Sequence, residues 1–462
     1  LDDVWHRLFG QDVTLWSPTH LLMLGGGMLA LIGEAVLLVE GRKAYEAPEA
    51  GSPRLRSWDP PASWDAMNNK IRRTMLGGGI LVGLCIFQAE FDYGIPQFRM
   101  IFSPMLLMMS ASIALVFIRI FAGRFGAIGA VLFYALIRLG LLIFVDPIMG
   151  DLASTFPVFW VEAIVVEVAA LIVSTKKPVQ FAAVAGALIG TFGLAFEYGW
   201  SHVFAAYHWD ADLFPLAAIL GFIAAMAGAQ IGAWMGNSLR QRPPIEGAGR
   251  HLAAGSFAVI LMLIAFGLHE QPVTGLTASV TTTPAKVNKP GRWVNATVKL
   301  SDPQATKDAI WIKQIAWQGK PGLETATMRE VSPGVLQTTR PMPVSGSWKS
   351  GIRIQKGSSV MGMALYYPRD DAIPVAEIPA LAAFERGFQP DRQLLQRENK
   401  IDGGPLAIAS YALLFFLAML LIGLQAWGIA RVGTGRPPTS DEVGGHRAEV
   451  RSSRSTTRPS PA

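Results

Sequence analysis

The sequence holds a single cysteine, Cys85, and that scarcity removes several chemistries at once. A disulfide framework, a CxxC metal site and an iron–sulfur cluster all need more than one thiol within the chain. Histidine is sparse too, with seven in 462 residues. None of them falls in an HxxH, HxxxH or HExxH pattern, which argues against histidine-box di-iron hydroxylases and zincin-type proteases. Neither a GxxxxGK[ST] phosphate loop nor a GxSxG nucleophile elbow occurs. Charge is also low: 16% of residues are charged, where an ordinary soluble chain carries about a quarter.

What is abundant is apolar sequence, 51% of the chain, with a mean hydropathy of +0.34. It is concentrated in runs of about 20 residues, the length of helix that spans a bilayer. Such runs cover roughly 18–39, 74–91, 101–121, 126–145, 157–174, 179–199, 213–236, 252–268 and 405–429. Basic residues collect in alternate turns: 41–74, Arg119 with Arg124, Lys176-Lys177, and Arg240 with Arg242 and Arg250. The positive-inside rule makes those turns cytoplasmic and the N-terminus external. The net charge of +6 therefore reads as membrane topology and not as nucleic-acid binding.

Between 271 and 400 the pattern changes to short alternating segments such as 293–299, 309–316 and 359–367, separated by Gly, Pro, Ser and Asp clusters. About seven strands with that punctuation predict an all-β sandwich of immunoglobulin type. The expected organisation is an interfacial segment at 1–16, an eight-helix membrane domain at 17–270 and an extracytoplasmic β-sandwich at 271–400. A ninth transmembrane helix at 401–431 and a disordered cytoplasmic tail at 432–462 complete it. The fold class is thus a membrane all-α bundle with an inserted β domain. The chain opens on Leu1 with neither methionine nor a signal-peptide pattern, which leaves an upstream segment open.

Topology sorts the histidines: His6, His20, His202, His208 and His269 fall outside, His251 and His446 inside. Imidazole is the commonest transition-metal ligand, and carboxylates such as Glu90 and Glu197 lie at similar expected depth. The expected metal ligands are His20, Glu90, Glu197, His202 and His269, with copper favoured over zinc. Interfacial His and Asp that simply face water or headgroups are the competing explanation. A second signal is intramembrane charge at Glu34, Arg138, Glu162 and Glu167, each costly unless paired or hydrated. Counting helical rise puts Arg138 and Glu167 near mid-depth, where they are expected to pair, either fixing helix register or lining a proton path. Met361 and Met363 alternate on one strand, as a Cu(I) thioether pair would and as an ordinary core face would.

Gly291-Arg292-Trp293 leading into a strand, and Gly346-Ser347-Trp348 leading to Ile352-Arg353-Ile354, resemble the YtkA/FixH-like immunoglobulin modules of bacterial membrane proteins. That resemblance covers about 100 residues. It implies a bacterial inner-membrane location and an association with copper handling or oxidase assembly. The partners it implies are the lipid bilayer and other membrane subunits or a metallochaperone. The paired elements Trp5-His6 and Trp16–His20 look like a signature of the helical part. An ion or solute transporter using the intramembrane charges, and a scaffold binding a partner through its β domain, are the alternative functions.

Overall fold

The computed structural model describes residues 2–10, 14–46, 62–205, 207–243, 245, 248–318, 322–371, 375–395 and 404–434. Its helices are α1 (Asp2–Phe9), α2 (Pro18–Glu46), α3 (Ala62–Cys85), α4 (Ala89–Asp92), α5 (Phe102–Phe121), α6 (Gly126–Ile143) and α7 (Trp160–Ile172). They continue as α8 (Pro178–Leu188), α9 (Leu194–Phe204), α10 (Phe214–Leu239), α11 (Ala248–Leu268), α12 (Asp391–Leu395) and α13 (Pro405–Thr434). Among the described residues, eight apolar helical stretches are long enough to cross a membrane. These are Pro18–Lys43, Ser63–Asp92, Phe102–Phe121, Gly126–Ile148, Pro178–Phe204, Phe214–Leu239, His251–Leu268 and Pro405–Val432.

The apolar run at 157–174 behaves differently from the other eight. Its helix, α7, has 13 residues, or about 20 Å of rise, well short of a hydrocarbon core about 30 Å thick. Residues 152–159 before it are not helical. They lie along the second half of α6, where the Tyr134 hydroxyl donates to the Pro157 carbonyl (3.0 Å) and Arg138 donates to Ser154 and to the Thr155 carbonyl (3.0 and 2.9 Å). The boundaries differ elsewhere as well. Helix α3 starts at Ala62, so Lys70, Arg72 and Arg73, expected in a loop, belong to a helix. The 432–462 tail lies, from 435 onward, outside the described residues.

Helix α5 is buried along nearly all its length and forms the axis of the bundle. Helix α10 packs on it through Gly228, Gly232 and Gly236. A Cβ on Gly232 would stand 2.4 Å from the Ile113 carbonyl oxygen, so only glycine permits this approach.

Among the described residues eleven strands follow: β1 (Thr277–Pro284), β2 (Trp293–Leu300), β3 (Ala309–Gln318), β4 (Gly322–Thr327), β5 (Arg329–Ser332) and β6 (Val335–Gln337). The rest are β7 (Met342–Pro343), β8 (Lys349–Lys356), β9 (Ser359–Tyr366), β10 (Ala383–Gly387) and β11 (Gln389–Pro390). They build two antiparallel sheets, ordered β10-β1-β2-β6-β5 (with β7 also on β2) and β11-β9-β8-β3-β4. Met361, Met363 and Leu365 belong to the apolar core of this region, the ordinary reading of that alternation.

Strand β8 shows how the β region meets the helices. Ile352 and Ile354 enter the β core, so by strand alternation Arg353 and Gln355 face the other way. Gln355 accepts a bond from the Met100 amide (2.9 Å), and Arg353 donates to the Pro96 carbonyl and to Asp391 (2.9 and 2.7 Å). Trp311 on β3 packs edge-on against Tyr207 from the turn between α9 and α10.

Candidate functional site

Helix α1 begins with Asp2 and carries His6 four residues later, which puts both side chains on one helical face. The helix packs Trp5 and Phe9 against Ala407 and Leu414 of α13. That packing turns the Asp2/His6 face toward the first turn of α2, where His20 follows the helix-opening Pro18. Trp16 fixes the turn between them: its indole donates to the Phe87 carbonyl (2.8 Å) and its ring packs on Phe102.

The result is a cluster of Asp2, His6 and His20 in which one ligand atom from each residue lies within 4.8 Å of the others. The Asp2 carboxylate is 3.4 Å from His20 Nε2 and 3.7 Å from His6 Nε2. The three side chains are partly exposed, so the cluster is open to solvent. Asp2 also accepts from the Thr19 hydroxyl (2.7 Å). That bond first, and then the nearby His20 and His6 rings, hold its carboxyl below the usual range.

His20 is oriented from behind. Its Nδ1 lies 2.8 Å from the Thr14 carbonyl oxygen, which can only accept, so Nδ1 carries the hydrogen, and in the neutral ring the lone pair is on Nε2, the atom that faces the cluster. The Thr14 hydroxyl and the Leu15 amide both donate to Glu90 Oε1 (2.5 and 2.7 Å), and the Gln97 amide donates to Oε2 (3.2 Å). Glu90, expected as a ligand, is instead a buried clamp on the turn that carries the Thr14 carbonyl.

Of the five residues expected to share a metal, the structure places only His20 in this cluster, and among the described residues no other group of this kind forms. Glu197 is buried and accepts the Val158 and Phe159 amides (3.2 and 3.1 Å). His202 bonds the Tyr198 carbonyl (2.8 Å) and packs against His208, which pairs with Asp210 (3.1 Å). His269 is exposed at the end of α11, and its neighbour Glu270 pairs with Arg392 (2.9 Å). Sequence spacing did carry the signal for the observed set: an Asp-x-x-x-His pair in an amphipathic helix.

The intramembrane charges also pair differently from the expectation. Arg138 binds Asp92 (3.2 Å), while Glu167 binds Arg119 (2.7 Å) and accepts the Ala127 amide (3.2 Å). Because 152–159 is not helical, α7 begins only at Trp160. Glu167 is thereby carried down to the level where α5 ends and α6 begins. Glu34 is exposed on α2 and takes no part.

A cavity of about 40 Å³ lies between α4, the 152–159 segment and α9, lined by Gln88, Asp92, Thr155, Glu197, Ser201 and Trp209 among others. Comparisons with protein-family models, with curated proteins and with solved structures return no match to this chain.

Proposed function

We propose that the chain is a multi-pass membrane protein that binds a transition metal, copper by preference, on its outer face through Asp2, His6 and His20. The observation that carries this reading is the convergence of two imidazoles and a carboxylate, with His20 held in a ligating tautomer by a backbone carbonyl. Two nitrogens and an oxygen suit Cu(II) or Zn(II), and among divalent first-row ions copper binds such a set most tightly. Three protein ligands leave a position open, so a bound ion could pass to a partner or meet a small ligand there. The role follows as metal handling or delivery, or as a metal-bearing subunit of a membrane oxidoreductase.

The proposed orientation keeps the cluster and the β region, read as an immunoglobulin-like sandwich of YtkA/FixH type, outside a bacterial inner membrane. The bond that Arg353 donates to Pro96 and the bond that Gln355 accepts from Met100 support a β region seated over that end of the bundle.

The test is metal analysis of full-length protein purified in detergent, followed by copper and zinc titration. Wild type should retain close to one equivalent of copper. His6→Ala/His20→Ala should lose at least about a hundredfold in affinity, more than changes behind a ligand typically cost. Equal copper retention by wild type and the double variant would remove the reading.

A further inference from the structure

We infer that Glu162 and Glu197 form a proton-binding site in the bundle that exchanges its proton through the cavity beside Asp92. The site is separate from the metal cluster and does not depend on it.

Two features of the fold bring these carboxyls together. Glu162 stands in the first turn of α7 and Glu197 in the first turn of α9. Just before α9 the chain makes a π-turn at Ile189–Gly193, a widening common at functional sites. A Cβ on Gly193 would lie 2.7 Å from Glu162 Cγ and 3.0 Å from its Oε1, so the glycine makes room for the carboxyl. Glu162 and Glu197 interact electrostatically, and both are within 1% of full burial.

Their surroundings are unequal. Glu197 Oε1 accepts two amides at the N-terminal end of α7, where the helix dipole also favours an anion. Phe159, at that end, has φ 54°, an unusual left-handed conformation that turns these amides toward Glu197. Among the described residues no other residue donates to either oxygen of Glu162, whose one donor is its own amide. A fully buried carboxylate so poorly satisfied beside a second carboxylate is untenable, whereas a protonated one is not. Glu197 therefore holds the charge and Glu162 the proton.

The other groups facing the pair do not supply a neutralising cation. Cys85 on α3, Asp92 on α4 and Tyr134 on α6 lie within electrostatic reach of Glu197, and Arg138 on α6, which reaches those three groups, is already paired with Asp92. Two observations connect the pair to water. The cavity lined by Glu197 and Asp92 is large enough for more than one water molecule. Gln88, 2% exposed and lining it, gives its amide nitrogen to Asp92 (3.2 Å) and leaves Oε1 unpartnered, as a residue that meets water there would. Non-helical backbone inside a bundle, as at 152–159, is tolerated where it is buried in protein or borders such a hydrated space.

Infrared difference spectroscopy on full-length protein in lipid nanodiscs, titrated from acid to alkaline pH, tests this. Wild type should show, at neutral pH, a protonated-carboxyl component that shifts in heavy water and shrinks as pH rises, set against the bands of the chain's other carboxyls. Glu162→Gln should remove that component alone. Glu197→Gln, which removes the partner and not the proton, should keep the component, as should Glu167→Gln at the Arg119 ion pair. A wild-type spectrum that Glu162→Gln leaves unchanged, or a component that never responds to pH, would overturn the inference. None of these outcomes bears on copper retention.

Discussion

Thr14 joins more of the proposed metal centre than any ligand does. Its carbonyl orients His20, and its hydroxyl is one of the donors that satisfy the buried Glu90. Thr14→Val keeps the shape and removes only the hydroxyl, leaving Glu90 short of a donor. The expected cost is about 1–3 kcal/mol, read as a lower unfolding midpoint in detergent, with copper affinity reduced less than by loss of a histidine. Asp2 keeps its charge far into the acid range. Its carboxyl is held below the usual range, so its contribution is present above that range and is lost only as pH falls through its own lowered value. Between about pH 7 and pH 5 Asp2 thus stays ionised. Asp2→Asn should therefore weaken copper binding at both ends of that interval, in titrations at about pH 7 and pH 5. His20, expected among the ligands because it stands beside a helix end, does lie in the cluster. His6 was not among the expected ligands, because nothing in the residue pattern tells where α1 packs.

At the scale of elements, the apolar runs and basic turns were enough to locate the long helices, since each span must carry about 20 apolar residues. They could not show that residues 152–159 are not helical. A helix advances about 1.5 Å per residue, a rise that does not apply to non-helical backbone, so one misassigned segment shifts every depth after it. This is why Arg138 and Glu167 were matched with each other while their real partners are Asp92 and Arg119. Two glycines test the packing that results. Gly232→Leu would drive a side chain into the α5 backbone and should leave little folded, monodisperse protein in size-exclusion chromatography. Gly193→Val strikes only the Glu162 side chain and should cost about 1–3 kcal/mol, with the protein still folded. Equal behaviour of the two variants would show that the Gly193 contact is not specific to the carboxyl.

For the whole molecule, orientation is the property to measure. Cys85 is buried, so single cysteines placed elsewhere report alone to a membrane-impermeant thiol reagent. Lys299→Cys in the β region should label in intact cells and Lys176→Cys only after lysis; the reverse would invert the proposed topology. The seat of the β region is the buried Arg353–Asp391 pair, closed over by Tyr207 and the Pro96 carbonyl. Asp391→Ala leaves a buried guanidinium uncompensated and should destabilise by about 3–5 kcal/mol, seen as earlier protease cleavage between 271 and 404.

The stretch from Glu90 to Met100 touches all three parts described above. Glu90 braces the turn behind His20, Asp92 holds Arg138 beside the cavity, and Pro96 and Met100 receive the β region. Eleven residues of one chain thus act as a common beam. Thermodynamic linkage makes any displacement of that beam reciprocal: a ligand that shifts the β region and thereby the proposed metal site would alter copper affinity there by the same factor by which copper alters that ligand's affinity.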